Sequence, residues 1–202
     1  DAPGIDTIVD GQCVDWGNPI SEMYLEALRY LQAGPDVAGT PTPGTPTSAF
    51  ASNDSTYIQG LPATVSWQDP IPKTDWCAKS NIVILSTGLN SFDTDQTAHN
   101  LGWPRTTAQL TNDVAGSGYE NLSGSYLIGS NSGSSTNDYQ AVCTGKPLGN
   151  FADFVGICPE LPNLGGSYHI AGLGLGTALY DLRPGYKTQR DKLWLTTKPD
   201  YA

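Results

Sequence analysis

Ile82, Val83, Ile84 and Leu85 stand side by side within Cys77–Asp95, C-A-K-S-N-I-V-I-L-S-T-G-L-N-S-F-D-T-D. An exposed-edge strand alternates apolar with polar residues, and this one does not. A short unbroken run closed by Gly88 predicts a strand buried on both faces, as in a parallel sheet covered by helices. Ligands in open α/β sheets gather just beyond the carboxyl ends of the strands. That rule points to the polar loop that follows, with Asn90, Asp93 and Asp95 as candidate site residues.

The rest of the chain is compatible with one domain of 202 residues. Its 38% hydrophobic content supports a core, while 23 Gly and 15 Pro call for long loops. The net charge is −10 and no Lys/Arg cluster occurs, which argues against nucleic acid as a partner. No run approaches the ~18 apolar residues needed to span a membrane. Four Cys, with little Lys or Glu and many Tyr, Thr and Gly, suit an extracellular protein with disulfides. Cys143 with Cys158 closes a short loop and leaves Cys13 with Cys77, one of three formal pairings. No C-x-x-C or paired His suggests zinc.

The segment N-P-I-S-E-M-Y-L-E-A-L-R-Y-L-Q-A-G predicts a helix over 19–32. Asn18 is placed to cap it, and Ile20, Tyr24, Ala27, Leu28 and Leu31 form its apolar face. Residues 34–56 are a Pro/Thr-rich insertion, and residues 115–138 are rich in Gly, Ser and Asn around a short strand at Tyr126–Ile128. Strands are further expected at Ile5–Val9, Ala63–Trp67 and Lys192–Thr197. Weaker helices are expected at Thr106–Leu110 and Asn150–Val155. Ser167 is placed to cap a helix over 168–182, whose glycines permit close packing on a sheet; a strand with Gly172, Gly174 and Gly176 on one face is the alternative.

Asn90, Asp93 and Asp95 offer a hard cation, Ca²⁺ or Mg²⁺, half a coordination shell; the same acids also suit the capping of turns. A serine elbow needs G-x-S-x-G, and Gly129–Gly133 carries Asn131 in the Ser position. Of the two histidines, His169 is expected to be packed and His99 solvated. Asp181 is expected to pair with Arg183 at a helix end, and the five Trp to serve mainly the core. No catalytic set emerges, and the chain reads as a non-enzyme.

The order of E-A-L-R-Y-L, W-Q-D-P-I, the Cys77–Asp95 stretch, G-I-C-P-E-L-P, G-S-Y-H-I-A-G-L and D-L-R-P resembles the N-terminal region of the type IV pilus tip-associated adhesins, the PilC/PilY family. The resemblance covers most of residues 17–197. It implies an α/β fold: a partial von Willebrand factor A (VWA)-like, Rossmann-type sheet flanked by helices. It also implies an extracellular place at the cell surface or pilus tip, with pilus (minor pilin) proteins or host and abiotic surfaces as partners. The expected role is support of pilus assembly, surface attachment and twitching motility, with a structural filament subunit or a secreted carbohydrate-binding or hydrolytic domain as alternatives. The D-x-S-x-S motif of a VWA metal site is missing. Asn18 stands for its Thr and Ser86-Thr87-Gly88 for its T-D-G. A degenerate site of Asn18, Ser86, Thr87, Asn90, Asp93 and Asp95, with metal absent or weakly held, is therefore expected. The missing first strand implies part of a larger polypeptide, or a homologue completed by a partner chain.

Overall fold

The structure, a computed structural model, describes residues 18–32, 70–71, 78–86, 88–93, 97–98, 101–116, 118–131, 142–159 and 165–183. The expected strands at Ile5–Val9, Ala63–Trp67 and Lys192–Thr197, the 34–56 insertion, His99 and the Cys13–Cys77 pair lie outside the described residues. Within them the chain is mixed: helices α1 (Ile20–Gln32), α2 (Thr107–Ala115) and α3 (His169–Leu179), a 3₁₀ turn at Phe151–Asp153, and a two-stranded antiparallel sheet. Strand β1 (Ser125–Ile128) pairs with β2 (Thr144–Pro147), Ser125 opposite Pro147 and Ile128 opposite Thr144.

Helix α1 forms where the sequence places it, though its most buried face runs through Ser21, Leu25, Leu28 and Gln32. Leu25 and Leu28 meet Leu101, Trp103, Leu110 and Leu173 in a first core that joins all three helices. Helix α2 starts at a reciprocal capping box, with Thr106 accepting from the Gln109 backbone amide and Gln109 from that of Thr106. Helix α3 confirms the helical reading of the glycine-rich segment, but the glycines face a helix and an indole, not a sheet. A side chain at Gly172 would run into Thr111 and the Thr107 carbonyl of α2, and one at Gly176 into the Trp103 ring. The two glycines set how closely α3 approaches its neighbours. Trp103 is the indole that the described residues place in the core.

A second core holds Ala115, Ile128, Phe151 and Phe154, with Tyr168 and Tyr126 packed against it. Phe151 and Tyr168 lie 4.8 Å apart, and Phe154 meets Phe151 edge-on at 5.5 Å. The expected strand near Tyr126–Ile128 is β1, and the expected short helix at 150–155 narrows to the 3₁₀ turn. Strand β2, T-G-K-P, is too polar to announce itself. It is held by the Cys143–Cys158 disulfide at its entrance and by Lys146. The Lys146 ammonium donates to the Ile128 and Val142 carbonyls, both at 2.8 Å, and to the Thr144 hydroxyl at 2.7 Å.

The expectation of a buried parallel strand at Ile82–Leu85 is corrected. Among the described residues the segment joins no ladder, and Val83 and Leu85 are 77% and 91% exposed. Only Ile82 packs against the first core. An apolar run is buried only where neighbouring strands and covering helices exist, and the described residues supply neither on the Val83/Leu85 side. A Rossmann-type sheet is not formed by the described residues.

Two measurements test this packing. Alanine is the better helix former by about 1 kcal/mol, yet Gly172→Ala is expected to destabilise by about 1–3 kcal/mol through overpacking against Thr111. A rise in the urea midpoint would overturn the close-approach reading. Burial also holds the Tyr168 hydroxyl above its ordinary value of 10.0 by desolvation of the phenolate. Its contribution to stability is intact below pH 10.0 and is lost as pH climbs from there through the higher folded value. Tyr168→Phe should therefore flatten the alkaline limb of a pH–stability curve.

Candidate functional site

Three segments far apart in sequence converge on one carboxylate. Asp93 is fully buried, and its oxygens accept five hydrogen bonds. Oδ1 takes the backbone amides of Ser21 at 2.7 Å and Glu22 at 3.2 Å. Oδ2 takes the Ser21 hydroxyl at 2.5 Å, the Asn90 amide at 2.7 Å and the Ser167 hydroxyl at 3.1 Å. The first helical bond of α1 runs from Met23 to the Pro19 carbonyl, so Ser21 and Glu22 are orphan amides of its first turn. Asp93 is thus the cap of α1, supplied from 72 residues away in place of the expected Asn18. A negative charge at this end is also favoured by the helix dipole.

Asn18 has another task. Its side-chain nitrogen lies 2.9 Å from Ser86 Oγ, 3.2 Å from the Gly88 carbonyl and 3.0 Å from that of Leu89. Its backbone pairs with Ser91, whose hydroxyl accepts the Asn18 amide at 2.9 Å while the Ser91 amide donates to the Asn18 carbonyl at 3.0 Å. Between Ser91 and Asp93 the backbone of Phe92 takes a φ of 49°, a left-handed conformation costly for a bulky residue. The paired Ser91 and clamped Asp93 on either side hold it there.

The third segment enters through Ser167. Its carbonyl accepts the Asn90 side-chain amide at 2.5 Å, and its hydroxyl also accepts the His169 backbone amide at 3.2 Å. Ser167 therefore serves the start of α3 while holding Asp93. Gly166 leaves no room for a side chain beside the Asn90 carbonyl. His169 is packed as expected, its Nε2 donating to the Ala152 carbonyl at 3.0 Å and its Nδ1 sharing a 2.8 Å bond with the Thr97 hydroxyl.

Of the expected site residues, the structure brings Asn18 together with Ser86, and Asn90 together with Asp93; Thr87 and Asp95 lie outside the described residues. Among the described residues no group of three or more His, Cys, Asp or Glu is placed to hold a metal ion. Sequence reasoning missed Ser21 and Ser91. A serine in the first turn was a signal for the former, but Ser91 gave none. The expected Asp181–Arg183 salt bridge is replaced by a backbone contact: the Arg183 amide donates to Asp181 at 2.8 Å. The guanidinium instead donates to the Leu31 carbonyl at the far end of α1, at 2.6 Å, and to that of Ile71 at 3.1 Å.

Residues 3–176 match the family described as PilY1 homolog, second domain, a span that holds every element of this site. The chain belongs to that family. Among curated proteins, the Type IV pilus biogenesis factor PilY1 homolog of Xylella fastidiosa (strain Temecula1) is 26% identical over 181 residues, which is 81% of this chain and 12% of the relative. The chain thus spans about 12% of the length of that relative. No solved structure matches. The family relation agrees with the PilC/PilY resemblance at the level of the family; the matching region is its second domain, and the expected N-terminal VWA-like region is not what the match identifies. The match ends inside α3, so the Ser167 arm of the knot belongs to the family segment as much as the Asp93 loop does.

Asp93→Ala leaves two backbone amides, one side-chain amide and two hydroxyls without their acceptor. At about 1–3 kcal/mol for each buried group left unsatisfied, partly recovered by water entry, a total loss of about 3–5 kcal/mol is expected. Chemical denaturation measures it; a loss below about 1 kcal/mol would show that the knot is not what holds α1.

Proposed function

We propose that this chain is a non-catalytic, extracellular module of a type IV pilus-associated protein, contributing to pilus assembly, surface attachment and twitching motility. The observation that carries this reading is the family match across residues 3–176, together with a curated relative named as a type IV pilus biogenesis factor. The partners it calls for are pilus proteins and the surfaces to which cells attach. No helix among the described residues is long and apolar enough to cross a membrane.

We further propose that the loop after residue 86 is a metal-free counterpart of a VWA-type adhesion site. A divalent cation needs several oxygens free to face it. Here both oxygens of Asp93 are taken by protein donors. The Asn18 side-chain nitrogen lies among Ser86 Oγ and the Gly88 and Leu89 carbonyls, so an N–H donor fills a ring of oxygens that a cation would otherwise seek. The described residues of the loop do not fit the ion, and they act as a structural closure between α1 and its neighbours.

Removing the coding region for this chain in its native cells is expected to reduce surface pili, attachment and twitching together. Wild-type levels of all three would overturn the pilus reading. Calorimetric titration of the folded chain with Ca²⁺ and with Mg²⁺ is expected to give no binding heat at millimolar ion. Tight binding abolished by Asn18→Ala would overturn the metal-free reading.

A further inference from the structure

Strand β2 buries little of its own. Thr144, Gly145 and Pro147 are exposed and Lys146 is half-buried, so T-G-K-P brings no buried apolar side chain to the fold. Its ladder with β1 is four residue pairs long, and a hairpin of that size is marginal by itself in water. The three acceptors of the Lys146 ammonium, at Ile128, Val142 and Thr144, all lie in the hairpin or at its entrance. What β2 carries is the next residue, Leu148, which packs on the aromatic second core and donates its amide to the Gly124 carbonyl at 2.8 Å. The covalent tie is at the other end, from Cys143 to Cys158. The Cys158 side is firmly held. The Gly129 and Ser130 amides donate to the Gly156 and Val155 carbonyls at 3.1 and 2.7 Å, and the Gly156 amide donates to that of Gly166 at 2.7 Å. Cys158 thus stands beside anchored backbone, and Cys143 leads into a strand without a buried side chain.

We propose that Cys143–Cys158 is a redox latch. Closing it docks β2 and completes the second core; reducing it releases β2 with Leu148 while the first core and the Asp93 knot stay folded. Both cysteines are half-buried, not sealed inside a core, so an exchange protein can reach their sulfurs. In closure, one thiolate attacks a disulfide of the oxidant and forms a mixed disulfide. The second thiolate then attacks the cysteine sulfur of that bond, which joins Cys143 Sγ to Cys158 Sγ and releases the oxidant as a dithiol. Two electrons and two protons pass from the cysteines to the oxidant, and opening by a dithiol reductant is the reverse. Constraining a separation of 15 residues shifts the balance between docked and released β2 by about 100-fold. Lys146 follows the latch, because Val142 and Thr144 flank Cys143 and two of its three acceptors are freed with it. The extracellular setting proposed above is oxidising and keeps the bond closed, whereas a reducing compartment leaves the second core open on its β2 side. The latch itself rests on the packing and not on the pilus reading.

Hydrogen–deuterium exchange on the intact protein isolated from its native cells, with and without dithiothreitol, tests the latch. After reduction the amides of β1, β2 and Leu148 are expected to exchange about 100-fold faster. The Ser21 and Glu22 amides at Asp93, and those of Leu25 and Leu28, should keep their rates. Dithiothreitol also acts on other cysteines, so Cys143→Ser with Cys158→Ser, measured without reductant, should reproduce the pattern. Unchanged exchange in the hairpin would overturn the proposal. So would acceleration spread equally over α1 and the hairpin, because the bond would then be a staple of the whole fold. An effect of dithiothreitol that the double variant lacks would trace to Cys13 or Cys77 and overturn it as well. If the double variant is not recovered folded, wild-type protein reduced after folding, with the Cys143 and Cys158 thiols identified by alkylation and mass spectrometry, supplies the same comparison. The readout is independent of piliation, so failure here and failure of the pilus reading are told apart.

Discussion

The described structure depends on the burial of one carboxylate. Removing Asp93 from water is expensive unless its charge is met by donors close at hand. The chain meets it with the open end of α1, a side-chain amide three residues back in the same loop, and a serine just before α3. Each donor belongs to a different part of the fold, so the electrostatic requirement of one residue becomes a positional requirement on three segments. The far end of α1 is treated in a similar way. Arg183 reaches the Leu31 carbonyl from 152 residues along the chain, and Gln32 donates to the Leu101 and Leu182 carbonyls. Both termini of α1 are closed by residues that local sequence does not contain.

Between those ends the packing is a matter of shape. Gly172 and Gly176 bring α3 against α2 and the Trp103 ring, and the first core fills the remaining volume with leucines from all three helices. The second core is aromatic, built on Phe151, Phe154 and Tyr168 beneath a hairpin too short to stand alone. The two are joined through α2. Asn112 of that helix accepts the Ala152 amide at 2.9 Å, and Ala115 at its end packs into the aromatic cluster. Hydrogen bonds therefore run from the Asp93 loop to the starts of α1 and α3, and through His169 to Thr97 and the Ala152 carbonyl of the 3₁₀ turn.

Where sequence reasoning succeeded, the cause was local. Helical periodicity and Gly34 bounded α1, a weaker helical pattern at Thr106–Leu110 marked the start of α2, and a short loop between cysteines allowed Cys143–Cys158. Where it failed, the deciding partner was distant. Asn18 has the chemistry of a cap, but Asp93 is better placed to receive the first-turn amides, which frees Asn18 to close the loop at Ser86–Leu89. Ile82–Leu85 has the composition of a buried strand, yet composition states only what a segment needs. The neighbours that would satisfy it are not among the described residues. The candidate site was legible as a gathering of Asn18, Ser86, Asn90 and Asp93, because the motifs placed those positions together; its internal chemistry was not.

The sequence by itself determined the helices, one disulfide and the family, since each rests on spacing between residues close in the chain or on several short motifs in order. The tertiary structure alone decided that Asp93 is a buried cap with all its donors internal. It alone decided that the glycines of α3 receive a helix and an indole, and that Val83, Ile84 and Leu85 are exposed. Those outcomes turn on which groups meet across about 60 or more residues, and hydrogen-bond donors and apolar surfaces carry no record in sequence of the partner they will find.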